Sequence, residues 1–144
     1  MRTAALATLI ATGLLAGCTT VQVSQVDTRQ HAIDRVCIER NTKVAVNDFL
    51  PVLEQGFMRH GIATEVHDAP LPERCEYTLY YTAERGWDVT PYLDFAVLRL
   101  SRKGTTIGTA NYRHSGGFGL NKWAGTASKM DPVIDQLLTG KAPD

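Results

Sequence analysis

From Cys75 to Asp88 the chain reads CEYTLYYTAERGWD, an alternation with a period of two. Tyr77, Leu79 and Tyr81 fall on one side and Thr78, Tyr80 and Thr82 on the other, the pattern of a strand with one face in a core. Downstream, Pro91 to Arg102 (PYLDFAVLRLSR) reads as a second strand closed by the turn KGTT, and IGTANYRHS as a third. Upstream, the proline-rich turn APLPER separates this block from IATEVHD, and DRVCIERN (Asp34 to Asn41) opens the folded part of the chain. Both of these also read as strands. Val36 and Ile38 share one face of the first, with Cys37 on the other.

Two segments carry helical spacing instead. In NDFLPVLEQGFMRHG, Phe49, Leu50, Leu53 and Phe57 form an apolar stripe. Asn47 or Asp48 can cap it, Pro51 fits its first turn and Gly61 suits its end. In SKMDPVIDQLLTG, Met130, Val133, Ile134, Leu137 and Leu138 recur at spacings of three and four. There, Asp131-Pro132 is expected to start the helix or to sit in its first turn, and Gly140 to end it. The order predicts an α+β fold: a two-layer sandwich, β-α-β-β-β-β-α, with an antiparallel-rich sheet and both helices packed on one face. Along Pro91 to Arg102 both faces are apolar, Ala96, Leu98 and Leu100 alternating with Phe95 and Val97. Helices on one face would therefore leave Tyr80, Phe95 and Val97 on an uncovered one.

The amino terminus is of a different kind. Arg2 precedes an apolar run, Ala4 to Leu15, that is too short to span a bilayer, which takes about 20 residues, and reads as the hydrophobic core of a signal peptide. Leu15-Ala16-Gly17-Cys18 resembles the lipobox of bacterial lipoproteins at all four positions. The resemblance implies cleavage after Gly17, diacylation of the Cys18 sulfur and acylation of the new amino group, so that palmitate-like chains tie the protein to a membrane. One chain holds a protein marginally, at about 0.8 kcal/mol per buried methylene, whereas two or three hold it stably. In Gram-negative lipoproteins an Asp after the lipidated cysteine resembles an inner-membrane retention signal. Thr19 in that place implies the outer membrane. The organisation expected is a cleaved signal peptide over residues 1–17, a lipidated N-terminus and polar tether over 18–33, and a single domain over 34–144. Val21, Val23 and Val26 leave open a short edge strand in place of part of the tether.

With Cys18 acylated, two cysteines remain in an exported domain, where disulfides persist. A Cys37–Cys75 bridge would close a loop of 38 residues, worth about 4 kcal/mol by loop-closure entropy. Parity requires one of the two to lie off its strand, and Cys75, just after the proline-rich turn, is the candidate.

Little else points to chemistry. The formal net charge is zero with no basic stripe, which argues against a nucleic-acid partner. The four histidines, His31, His60, His67 and His114, show no ligand spacing, so neither metal nor cofactor is expected. His114 and Ser115 are strand neighbours that face opposite ways, and HSGGFGLNK lacks the ending of a phosphate loop. Glu84 and Asp88 flank a turn and read as a solvated hairpin end. No enzyme activity is expected. Trp87 at that turn and Trp123 in a loop are candidate binding anchors or core closures.

CEYTLYYTAERGWD, YLDFAVLRL, IGTANYR and LNKWAGTASKMDPVIDQLL behind a lipobox resemble, taken together, the Sbal-type family of small uncharacterised Gram-negative lipoproteins. The resemblance covers roughly Cys75 to Leu138 and implies an exported lipoprotein with one compact domain and no catalytic residue. The element order is similar to that of periplasmic lipoproteins serving as accessory parts of envelope machines. The expectation is a non-enzymatic binding or scaffolding lipoprotein on the periplasmic side of the outer membrane. Its contacts to an envelope protein would run through Tyr80, Phe95 and Val97 or through Trp87 and Trp123. An inhibitor or immunity lipoprotein acting on a cell-wall hydrolase, through the loop GGFGLNKW, is the alternative, and a small periplasmic hydrolase a third.

Overall fold

A computed structural model describes residues 19–116 and 121–141. Cys18 and residues 117–120 of the glycine-rich loop lie outside the described residues. The chain forms β1 (Thr19–Ser24), β2 (Arg35–Glu39), α1 (Phe49–Arg59), β3 (Ala63–His67), β4 (Tyr77–Asp88), β5 (Thr90–Arg102), β6 (Thr105–His114) and α2 (Thr126–Thr139). The six strands make one mixed sheet in the order β1-β6-β5-β4-β2-β3. β1 pairs antiparallel with β6, β6 with β5 and β5 with β4, while β2 runs parallel to both β3 and β4. From β2 onward the order is the β-α-β-β-β-β-α expected.

Both helices cover the same face. On it Val36, Ile38, Leu79, Leu98 and Leu100 lose all contact with solvent, together with Phe49, Leu53 and Phe57 of α1 and Met130, Ile134 and Leu137 of α2. Phe49 stacks on Tyr81 of β4 at 5.6 Å. α1 ends as its residues dictate, with Gly61 in the left-handed region at φ 72°. The helices approach closely at Gly56, where a Cβ would lie 2.5 Å from the Ile134 Cδ1. Asp48 precedes α1, but its carboxylate accepts from the Thr126 hydroxyl (2.9 Å) and not from the backbone of its own helix, so the pair ties the two helix starts together.

Two expectations are corrected. Thr19–Ser24 is an edge strand, not a free tether, and Val26 after it is buried with its N–H donating to Leu137 O (2.9 Å). The cause is the outer edge of β6, which would otherwise carry an unpaired row of backbone groups. α2 starts at Thr126, so Pro132 lies in the helix interior, past the first turn. Burial of Lys129 and Met130 ahead of the proline holds the preceding turn in place.

The Cys37–Cys75 disulfide is formed, with Cα atoms 5.9 Å apart. Cys37 faces away from the helices, paired with Thr78, and Cys75 lies before β4 begins.

Candidate functional site

Strand register decides which residues meet. On the sheet face away from the helices, Tyr80 lies opposite Arg99, Val97 is flanked by Thr82 and Asn111, and Phe95 is flanked by Glu84 and Arg113. Tyr80, Phe95 and Val97 are each half-buried. The Arg99 guanidinium stands 5.3 Å over the Tyr80 ring and that of Arg113 4.6 Å over Phe95. The rings are thus shielded by cations. Two shallow clefts open here, one of about 350 Å³ beside Phe95 and Arg113 and one of about 210 Å³ beside Tyr80 and Val97.

The second group forms at one end of the sheet. The β4–β5 hairpin is long and turns at Val89, with Trp87 opposite Pro91 and Asp88 opposite Thr90. A bulge between Glu84 and Arg85 breaks the alternation just before the tip. Trp87 is 75% exposed and Val89 83%. Trp123, from the loop before α2, donates its indole N–H to Asp88 O (3.2 Å) and stays 44% exposed. The two tryptophans, far apart in the chain, therefore share one tip. Lys122 pairs with the Asp88 carboxylate, which raises its pKa and keeps it charged while its stem is buried.

Beneath the tip lies a group that no motif announced. Lys129 is buried and donates to Leu93 O (3.1 Å) and to Lys122 O (2.6 Å), and burial pushes its pKa down. His114 packs edge-on against Tyr92 at 5.4 Å. Neither of its ring nitrogens has a hydrogen-bond partner among the described residues, and burial, with Lys129 and Lys122 nearby, holds its pKa below the usual 6.5. Next to this group a cleft of about 390 Å³ opens between β1 and α2, lined by Thr19, Val21, Tyr112, Lys129, Pro132 and Val133 among others. Its residues come from β1, β6, the loop before α2 and α2, so no short stretch of sequence could have signalled it.

Cys37, Cys75 and His67 place three possible ligand atoms within 4.8 Å, but the two sulfurs are bonded to each other. A disulfide offers no thiolate to a metal. Ser115 is exposed, whereas His114 is buried beside it. Among the described residues no helix is long and apolar enough to cross a membrane.

No family model and no curated protein matches the chain. Among solved structures it is similar in fold to PelC of Paraburkholderia phytofirmans, solved as a dodecamer. The TM-score is 0.56 at 18% identity, covering 88% of this chain and 99% of that one. A dodecamer of a leucine-to-methionine variant of PelC from the same organism gives 0.55 at 20% identity, covering 86% and 99%. At this identity the likeness is one of fold.

Proposed function

We propose that this chain is a lipid-anchored, non-enzymatic envelope protein that binds or scaffolds another component at the outer membrane, facing the periplasm. The observation that carries the reading is a sheet that, among the described residues, helices cover on one side, with Tyr80, Phe95 and Val97 on the other, two of them under arginines. Partly buried aromatic and aliphatic side chains set among polar ones beside shallow clefts suit a protein surface better than a small substrate. The lipobox ending at Cys18 supports the anchor, and the disulfide supports an oxidising compartment. PelC, a neighbour in fold, was solved as a dodecamer. In this chain the corresponding partner would be further copies of itself, and the exposed edge of β1 and the open face are the surfaces available for them.

Crosslinking in cells, followed by mass spectrometry, tests the proposal. Wild-type protein is expected to capture a defined envelope protein, or itself, and Phe95→Asp to lose that product at unchanged abundance. An identical set of products from both proteins would refute the open face as the contact. The mass of the mature N-terminus tests the anchor separately: an unmodified Cys18, or a start elsewhere, would refute it.

A further inference from the structure

The start of β1 and the aromatic tip lie at the same end of the sheet. Thr19 pairs with His114 at the end of β6, Arg113 with Phe95, and Phe95 with Glu84. Beyond that row the β4–β5 hairpin runs on to Val89, so its tip overhangs Thr19 by about 13 Å at the ordinary rise of a strand. Cys18 is covalently next to Thr19, and since β1 begins at Thr19 no tether separates the two. Any acyl chains on Cys18 therefore leave the domain at the end where Trp87, Val89 and Trp123 are exposed.

From this juxtaposition we infer that the Trp87–Val89–Trp123 tip is a second membrane contact, seated in the interfacial layer of the bilayer that holds the Cys18 acyl chains. The inference rests on the anchor reading above. Three properties of the tip fit a lipid interface. Indoles partition to the boundary between headgroups and acyl chains, where an apolar ring and a polar N–H are both accommodated. An overhang of about 13 Å is enough for the tip to reach the depth, roughly 5–10 Å, to which interfacial segments bury. Asp88 is the one charged residue from Trp87 to Pro91, and Lys122 neutralises it, so the turn carries no uncompensated charge into that layer. Anchored at two points, the sheet stands on end and its open face looks sideways into the periplasm, available to a partner.

The chain's two tryptophans are both at the tip, so intrinsic fluorescence reports on it without a label. The full lipoprotein is purified from membranes and its N-terminal mass measured. It is then reconstituted in phosphatidylethanolamine–phosphatidylglycerol vesicles with lipids brominated high on the acyl chain. The expected result is a blue-shifted emission that the brominated lipids quench, as for an indole held in the interface. Val89→Asp is expected to float with the vesicles through its acyl chains but to escape quenching. Acylated wild type that floats unquenched overturns the tip contact and leaves the anchor standing, as does tip crosslinking to a protein without quenching. Equal quenching in Val89→Asp also overturns it. Protein that is not acylated and does not float overturns both readings, whereas non-acylated protein that is still quenched retains the contact and removes the anchor.

Discussion

Val89 holds φ at 57°, a backbone conformation that β-branched residues avoid, and it does so 83% exposed, where no packing compensates. The left-handed region costs a non-glycine residue about 1–2 kcal/mol, less for Asn. Val89→Asn is therefore expected to raise stability by about 1 kcal/mol in denaturant titration while weakening contact of the tip with lipid. His114 is strained in another way, buried with both ring nitrogens unpaired among the described residues and its pKa depressed by burial and by the adjacent Lys129 and Lys122. The unfolded chain takes up a proton near pH 6.5 that the folded state resists. Stability is therefore complete above that pH and declines as pH falls from there to the lower folded-state value. Thermal melts between about pH 7.5 and 5 are expected to show this slope, and His114→Phe to flatten it.

At the level of elements, the helical layer depends on the close approach at Gly56. A side chain there meets Ile134, and a branched one cannot turn away from it. Gly56→Val is expected to cost about 1–3 kcal/mol, as overpacking does, read from the denaturant midpoint at constant slope. Surface pairs on the same helix boundary, Arg59 with Asp131 and Asp135, are half-exposed and contribute far less. The disulfide ties β2 to the chain entering β4 across a separation of 38 residues. Replacing both cysteines by alanine is expected to lower stability by about 4 kcal/mol, checked by equilibrium unfolding against the oxidised parent.

For the whole molecule the governing feature is asymmetry. One face of the sheet is sealed by α1 and α2, and the other keeps half-buried rings under arginines. Phe95 is outside the sealed core, so Phe95→Asp is expected to change unfolding free energy by less than about 1 kcal/mol while abolishing capture of a partner. The same substitution at Leu98, on the opposite face of the same strand and fully buried, would unfold the domain, which makes the pair a control for position on the sheet. The tip at the β4–β5 end and the open face are two separate surfaces.

What could be read directly from the chain was whatever is local or contiguous. The period of two in CEYTLYYTAERGWD placed β4, stripes at three and four placed both helices, and Gly61 marked the end of α1. Parity indicated that one of the two cysteines would lie off its strand, because alternation is a rule of neighbours, and the proline-rich turn before Cys75 indicated which. The start of α2 was misjudged at Pro132, since proline's local preference for a first turn yielded to packing of Lys129 and Met130. β1 was only an open alternative, because a polar segment pairs as a strand only when a partner edge exists, and that edge, β6, lies some ninety residues away in sequence. The meeting of Trp87 with Trp123 and the shared end of Thr19 and the hairpin tip likewise follow from strand order and register. Those are set by burial of distant residues against one another, and no local pattern of side chains carries them.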